Sequence, residues 1–387
     1  MTTKTIRKIL THDFILCFFA YFTFCCASHI LIPTLPIYLS KLGSTEVEIG
    51  VLIGIFSVSS LILRPFIGRG LLKITEKNFM IAGVFLFALT SVAYLLASPF
   101  WAFLIVRIFQ GIGFAFFDTA SSTLIANISP EAHRGQSLSY FYLAFNISFA
   151  LAPSSGMFLI NHFSFTILFG VCTGLSLCSL FITNKLDKRQ IDPLGDSSIE
   201  DRFFLSRKAL PPSIMILFTN IIWGALATFF PLYALKHGVT NPGLFFTTYG
   251  IMIILSRALG GKILDLYSRK RVILPCLTTI IISMIILAFF KTLPMFILVA
   301  VIWGMGMAFL YPTLVAYTVD YAGPSRGPAM GTFTALGDLG IALGPVIMGI
   351  ILRLTSYPIM FFCLALTGVV NLNYFYFFVR KKGGTLS

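Results

Sequence analysis

The stretch LPIYLSKLG at residues 35–43 recurs as FPLYALKHG at residues 230–238, an offset of 195. Three further stretches recur in the same order at offsets of 192 or 193: RPFIG at 64–68 with RALGG at 257–261, QGIGFAF at 110–116 with WGMGMAF at 303–309, and ALAPSSG at 150–156 with ALGPVIMG at 342–349. Convergent small-residue patterns would explain one match but not four in one register. The sequence therefore predicts a chain built from two related halves.

The composition of the chain places both halves in a membrane. Of its 387 residues, 57% are apolar and 11% are charged, and the mean hydropathy is +0.92. A soluble domain carries about 25% charged residues, and a disordered chain has the opposite bias. Twelve membrane helices of about 20 residues would use roughly 240 residues, which leaves little for a soluble catalytic domain.

Twelve apolar stretches are long enough to cross a bilayer core of about 30 Å. They lack the alternation of barrel strands, so each is predicted to be a helix. The sequence thus predicts an all-α integral membrane protein with twelve transmembrane helices in two pseudo-symmetric six-helix bundles. The approximate limits of the stretches are 14–38, 48–68, 79–97, 101–126, 136–160, 163–184, 211–235, 244–266, 272–290, 294–319, 328–352 and 357–379.

The longest polar stretch, residues 185–210, separates six helices from six. It predicts an N-terminal bundle over residues 1–184, a cytoplasmic linker over 185–210 and a C-terminal bundle over 211–387. An even number of helices in each half leaves both halves in the same orientation. This is the arrangement of transporters whose halves rock about a substrate site at the midplane.

The basic residues predict the orientation in the membrane. With the N-terminus inside, 21 Lys and Arg residues lie on the inner side and 4 lie in outer loops. Arg64, Arg107 and Arg257 fall within helices. This bias follows the positive-inside rule and predicts a multi-pass protein of the plasma (inner) membrane with both termini cytoplasmic. Orientation accounts for the net charge of +14, so no nucleic-acid partner is needed.

No stretch carries an enzyme or metal motif. All seven cysteines fall in the apolar stretches without metal-ligand spacing. The chain contains no Walker A loop, no G-x-S-x-G and no H-E-x-x-H. We therefore expect a protein that is not an enzyme, holds no metal or cofactor and does not use ATP as its energy source.

The loop after the eighth helix, GKILDLYSRKR at 261–271, is similar to a loop signature of the major facilitator superfamily, and the chain resembles that family over nearly its whole length. The signature joins a glycine, an acid and a basic cluster, here Gly261, Asp265, Arg269, Lys270 and Arg271. The equivalent loop of the first half keeps Gly68 and Arg69 but has Leu72 at the acidic position. The resemblance implies a gate at the inner surface, weaker in the first half unless Glu76 substitutes.

The fourth helix, FLIVRIFQGIGFAFFD at 103–118, is similar to the fourth-helix pattern of the same family. The matching residues are Arg107, Gln110, Gly111 and Gly113. Asp118 lies eleven residues after Arg107, so the two share a face but are roughly 16 Å apart and do not pair directly. They are candidates for two depths of one cavity, whereas Asp118 could instead pair with a loop arginine such as Arg134.

The fifth and eleventh helices carry small residues with a proline. The copy in the eleventh helix resembles a fifth-helix signature of the antiporter branch, while the fifth helix has Ala152 where that signature has glycine. The resemblance favours antiport, although such residues commonly serve helix packing alone. The residues concerned are Pro153, Gly156, Gly340, Gly344, Pro345 and Gly349.

Three side chains are candidates for proton coupling: Asp118, Asp338 and His29. Asp338 falls mid-helix opposite Asn146 in the repeat register and could pair with Arg64 or Arg257. Burial disfavours the charged form of a carboxylic acid, which suits proton exchange near neutral pH. A structural role across a helix interface is the alternative for Asp338, and a helix–helix hydrogen bond is the alternative for His29.

Polar and aromatic residues in the first, seventh and tenth helices are candidate substrate contacts, because the resemblance implies that these helices line the cavity. They are Tyr21, Asn220, Trp223, Tyr233, Trp303 and Tyr311. Arg107 and Gln110 in the fourth helix and Asn146 in the fifth are further cavity or substrate candidates. The resemblance implies a functional monomer in the lipid bilayer that binds a small molecule. We expect proton-coupled efflux of a partly apolar metabolite or drug, with proton-coupled uptake of a nutrient as the alternative.

Overall fold

The computed structural model describes residues 10–97, 100–130, 133–187, 206–260, 267–322 and 326–379. These residues form twelve long apolar helices and no strand, which confirms the predicted all-α fold. The helices are α1 (His12–Lys41), α2 (Glu46–Gly70), α3 (Glu76–Ala93), α4 (Phe100–Ile128), α5 (Arg134–Phe141 and Leu143–His162), α6 (Phe165–Asn184), α7 (Leu210–Lys236), α8 (Gly243–Gly260), α9 (Arg269–Phe289), α10 (Leu293–Ala322), α11 (Arg326–Leu354) and α12 (Tyr357–Tyr374).

The candidate membrane spans in these helices are 18 to 30 residues long, and 18 residues cover about 27 Å at 1.5 Å per residue. Lipid offers the backbone no hydrogen bonds, so the apolar sequence must form helices that satisfy their own polar groups. Buried threonine hydroxyls also form their hydrogen bonds within their own helix. Thr34, Thr219 and Thr228 each donate to the carbonyl oxygen four residues earlier.

The repeated stretches at 35–43 and 230–238 end α1 and α7 in the same way. Gly43 and Gly238 have φ angles of +84° and +80°, a backbone conformation that residues with a side chain rarely adopt. The amide after each glycine donates back to the carbonyl five residues earlier: Ser44 to Leu39 at 3.1 Å and Val239 to Ala234 at 3.0 Å. This is the Schellman helix ending, and it explains why a glycine closes both copies.

The chain divides into two compact units. The first unit comprises Met1–Leu35 with Val58–Ser197, and the second comprises Pro36–Ser57 with Ser198–Ser387. Most of each unit corresponds to one sequence half, while residues 36–57 group with the second. Gly54 on α2 contributes to that grouping, because a Cβ there would lie 2.5 Å from the carbonyl oxygen of Ala342 on α11. The predicted limits at 184 and 211 stay a prediction.

Glycines allow the same helix crossing in both halves. In the first unit, a Cβ on Gly113 of α4 would lie 2.8 Å from the carbonyl oxygen of Gly83 on α3. In the second unit, a Cβ on Gly306 of α10 would lie 3.2 Å from the carbonyl oxygen of Cys276 on α9. Gly306 and Cys276 are the residues 193 positions after Gly113 and Gly83. The repeat seen in sequence is therefore also a repeat of packing.

The small residues of α5 and α11 pack against neighbouring helices. A Cβ on Gly156 of α5 would lie 2.9 Å from the carbonyl oxygen of Ile30, and one on Gly344 of α11 would lie 3.0 Å from the amide nitrogen of Ala225 on α7. Further small residues and prolines of these two helices are buried or pack against backbone: Pro153, Gly340, Pro345 and Gly349. Gly111 on α4 is also buried. Their geometry supports the packing interpretation that the sequence left open.

Candidate functional site

Asp118 on α4 is held by side chains from two other helices of the first unit. Its Oδ1 accepts a 2.7 Å hydrogen bond from the hydroxyl of Tyr21 on α1. Its Oδ2 lies 3.1 Å from Nη1 of Arg64 on α2, which forms an ion pair. A charge within a span costs about 2.5 kcal/mol or more, and this pairing offsets part of that cost. The two contacts tie α4 to α1 and α2 at this carboxylate.

Packing fixes the Tyr21 hydroxyl in this position. The Tyr21 side chain is buried, and its ring centroid lies 4.4 Å from that of Phe141, beside the interruption of α5. The loop arginine offered as an alternative partner for Asp118 lies elsewhere, because Arg134 donates its Nε to the carbonyl oxygen of Ala126 at 2.9 Å. Asp118 therefore has its partners on α1 and α2.

Arg107 belongs to a second polar network in the first unit. Its Nη1 donates a 2.6 Å hydrogen bond to Oε1 of Gln110, which also accepts from the hydroxyl of Tyr94 at 2.6 Å. Arg107 is 6% exposed and Gln110 is fully buried. The expected separation of Arg107 from Asp118 agrees with these different partners. A contact between Arg107 and cargo stays a prediction, and its burial favours a role inside the bundle.

His29 connects α1 to α5. Its Nδ1 lies 2.9 Å from Oγ of Ser148, and that hydroxyl donates to the carbonyl oxygen of Phe145 at 2.8 Å. Because the hydroxyl proton is used there, we assign the proton of this contact to Nδ1. The rings of Phe145 and Phe149 lie 4.6 and 5.1 Å from the imidazole. This geometry favours the helix–helix alternative for His29.

Three large aromatic side chains form what we call the Trp–Tyr cluster in the second unit: Trp223 on α7, Tyr249 on α8 and Trp303 on α10. Their ring centroids are 5.1 Å apart for Trp223 and Tyr249, 5.6 Å for the two tryptophans and 5.4 Å for Tyr249 and Trp303. Trp303 is fully buried, whereas Trp223 is half-buried. The sequence analysis named both tryptophans as candidate substrate contacts but missed Tyr249.

The other candidates lie in different environments. Tyr233 is buried and donates its hydroxyl to the carbonyl oxygen of Leu287 at 2.9 Å. Asn220 donates its Nδ2 to the carbonyl oxygen of Gly337 at 3.0 Å, one residue before the half-buried Asp338 on α11. The remaining two are the half-buried Asn146 on α5 and the exposed Tyr311 on α10.

The signature loop of the second half is partly described. Gly261 and Asp265 lie outside the described residues, as does the side chain of Lys270, and Arg271 is exposed. Arg269 donates its Nη1 to the carbonyl oxygen of Ala316 at 2.9 Å and forms an ion pair with Asp320 on α10. This basic residue therefore ties the start of α9 to the end of α10.

The first half has a related contact at the positions 193 residues earlier. Glu76 on α3 accepts a 2.7 Å hydrogen bond from Nδ2 of Asn127 on α4, and these residues correspond to Arg269 and Asp320. Gly68 and Arg69 at the end of α2 are exposed. Glu76 thus links α3 to α4, and its substitution for the acid missing at position 72 stays a prediction.

Four partners were missed by the sequence analysis: Tyr94, Asn127, Ser148 and Tyr249. Only Asn127 had a usable signal, because the repeat register places it opposite Asp320. The others are single polar or aromatic residues on apolar helices, where sequence spacing does not reveal a neighbour on another helix.

The sequence profile of the Major Facilitator Superfamily matches residues 17–263 and again residues 239–386. The chain belongs to this superfamily. The resemblance seen in the signature loop and in α4 is therefore confirmed. Major facilitator proteins are transporters and not enzymes, so the chain is a multi-pass membrane transporter.

Its relatives include one protein named for export and one named for drug resistance. The chain is 25% identical over 351 residues to the staphylopine export protein of Staphylococcus aureus (strain Mu50 / ATCC 700699), covering 87% of this chain and 88% of the relative. It is 24% identical over 338 residues to the quinolone resistance protein NorA of Staphylococcus aureus (strain MSSA476), covering 83% and 84%. Both alignments span most of each protein.

A solved structure agrees with the superfamily fold. A crystal structure of a variant of the nucleoside transporter NupG aligns with a TM-score of 0.82, covering 95% of this chain and 100% of that chain at 15% identity. At this identity the likeness concerns the fold alone, which supports the major facilitator architecture without a statement on cargo.

Proposed function

We propose that this transporter exports a small, partly apolar organic molecule from the cytoplasm in exchange for protons, by alternating access. Two relatives are named for export and for quinolone resistance. The Trp–Tyr cluster suits a cargo with an apolar body, because ligand sites are mostly apolar with a few placed polar groups. The observation that carries proton coupling is the carboxylate of Asp118, ion-paired to Arg64 inside a span.

Coupling in this proposal rests on the two electrostatic states of Asp118. In the charged state, the carboxylate binds Arg64 and Tyr21 together. A proton that binds to the carboxylate removes its negative charge, so Arg64 loses its ion pair while Tyr21 can still bond to the neutral acid. Binding of a proton thereby favours one of two arrangements of Arg64 and Asp118, as a proton-operated switch requires.

The other coupling candidates rank below Asp118. Asp338 is half-buried on α11 and is the second candidate. His29 is the third, because its ring already bonds to Ser148 across two helices. These assignments place the first coupling group in the first unit.

The remaining features of the proposal follow from the sequence. The protein acts as a functional monomer in the plasma (inner) membrane, with both termini cytoplasmic and the linker 185–210 on the same side. Its partners are the lipid bilayer and a small-molecule substrate, without nucleic acid. It carries out no catalysis and uses no metal or cofactor, and the proton gradient drives transport.

Untargeted metabolite profiling of cells and medium, with and without the protein, tests the direction and the drive. We expect a compound enriched in the medium of cells that contain the protein, and loss of that enrichment with a protonophore. A compound enriched inside the cells would instead establish the alternative, proton-coupled uptake. Enrichment in the medium that survives the protonophore would contradict proton coupling.

A further inference from the structure

One arginine within a helix of the second unit, Arg257, has no acidic partner among the described residues, unlike its counterpart in the first unit. In the repeat register, Arg64 corresponds to Arg257 and Asp118 corresponds to Tyr311, both at an offset of 193. The first unit therefore pairs its arginine with a carboxylate, whereas the second unit has a phenol at that position. The two halves share a framework but differ in charge at this point.

The contacts of Arg257 agree with this difference. Its Nε donates a long hydrogen bond of 3.4 Å to the carbonyl oxygen of Ala308 on α10. Its guanidinium lies within electrostatic range of the hydroxyls of Tyr249 and Tyr311. Among the described residues, no carboxylate lies within ion-pair distance of Arg257. The residue as a whole is exposed, so part of its side chain is accessible.

An arginine stays charged, and it presents several donors in a plane that matches carboxylate and phosphate groups. Arginine residues within spans are almost always paired or line a pathway. No acidic residue in the described part of the chain neutralises Arg257. A negatively charged ligand can therefore form the ion pair with it. Tyr249 and Tyr311 lie within electrostatic range of the guanidinium and carry phenol groups, which are hydrogen-bond donors of the kind that bind anions.

The surroundings define the rest of the ligand. Tyr249 belongs to the Trp–Tyr cluster, in which its ring stacks 5.1 Å from that of Trp223. Tyr249 lies on α8 eight residues before Arg257, about 12 Å along the helix axis. An aromatic side chain of the Trp–Tyr cluster thus lies on the same helix as an arginine that no described carboxylate neutralises. A ligand that satisfies both carries an apolar body and an anionic head.

We propose that Arg257, with Tyr249 and Tyr311, forms an anion-binding subsite for an amphipathic organic anion in the second unit. This inference rests on the proposed function in that the anion is the cargo or part of it. It adds the chemical class of the cargo and the residue that selects it. Binding at this subsite requires no proton gradient, so it can be measured separately from transport.

Tryptophan fluorescence of the purified full chain in lipid nanodiscs tests the subsite. The sequence contains three tryptophans, and Trp101→Phe leaves Trp223 and Trp303 as the only reporters. The probes are 4-bromobenzoate and its neutral isostere 4-bromobenzamide, since bromine quenches tryptophan on contact. We expect saturable quenching by both probes, with an apparent affinity at least about ten-fold higher for the acid, as one charge-assisted hydrogen bond gives.

Variants assign the preference to Arg257. Arg257→Gln should remove the preference for the acid while leaving quenching by the amide, which also reports that the protein is folded. Arg257→Lys should restore part of the preference, and Tyr311→Phe should reduce it less than Arg257→Gln does. Arg353→Gln removes an exposed arginine of the second unit and should leave both affinities unchanged.

Two results would overturn the subsite. The first is equal affinity for the acid and the amide in the parent protein, which needs no variant. The second is a preference that survives Arg257→Gln. Neither result tests the proton dependence of export. If export proved not to be driven by protons, the binding measurement would still test the subsite.

Discussion

The ion pair between Arg64 and Asp118 predicts a measurable coupling energy. Three variants are needed: Arg64→Gln, Asp118→Asn and the double variant. The charged atoms are 3.1 Å apart, with side-chain exposures of 28% and 14%. Hydrogen bonds to charged groups contribute about 1.5–3 kcal/mol net, and the partial exposure of Arg64 places this pair near the lower end. We expect each single variant to lower the free energy of unfolding by about 2 kcal/mol.

The double variant distinguishes a pair from two independent residues. Each single variant leaves an uncompensated group in a span, whereas the double variant leaves none. The double variant should therefore also cost about 2 kcal/mol, rather than the roughly 4 kcal/mol of two independent losses. The resulting coupling energy of about 2 kcal/mol lies within the range seen for residues in contact.

Reversible unfolding in mixed micelles of dodecylmaltoside and dodecyl sulfate, followed by tryptophan fluorescence, measures these free energies. The chain offers a matched control in Arg353 and Glu46, whose charged atoms are 3.9 Å apart at exposures of 54% and 41%. An exposed pair of this kind should show coupling of about 0.5 kcal/mol or less. Additive costs for Arg64 and Asp118, with coupling no larger than in the control, would refute the pairing.

Two further variants test the packing and the His29 contact. Gly113→Leu should lower the free energy of unfolding by about 3 kcal/mol or more, because the new side chain meets the backbone of Gly83. The control Gly170→Leu places its side chain in open space and should be tolerated. Comparable losses for the two variants in micelle unfolding would contradict the close crossing of α3 and α4. Ser148→Ala should lower the free energy of unfolding by about 1 kcal/mol, because it removes the hydrogen-bond partner of His29. The pH dependence of transport should stay unchanged. A shifted pH profile would instead show that His29 takes part in proton coupling.

Much of the fold was accessible from the sequence, because lipid imposes length and apolarity on every span. The predicted stretch 211–235 became Leu210–Lys236, and 163–184 became Phe165–Asn184. The interruption of α5 at Tyr142 was not predicted, since neither glycine nor proline occurs there. It depends on tertiary packing, including the contact of Phe141 with Tyr21.

The candidate site was less accessible, because helical periodicity identifies residues on one helix and not their partners on another. Spacing placed Asp118 on the face of Arg107, yet its ionic partner is Arg64 on α2. The correspondence between the two sequence halves revealed more about contacts between different helices. It relates Glu76 with Asn127 to Arg269 with Asp320, and both contacts are formed.

Gradient-driven transport by Asp118→Asn tests the central claim of proton coupling most directly. The cargo identified by profiling is loaded into proteoliposomes, and its flux is measured both with an imposed proton gradient and as exchange without one, beside Asp187→Asn as an exposed-carboxylate control. The account predicts that Asp118→Asn loses gradient-driven flux but keeps exchange, while the control keeps both. Gradient-driven flux that persists in Asp118→Asn would contradict the assignment of proton coupling to this carboxylate.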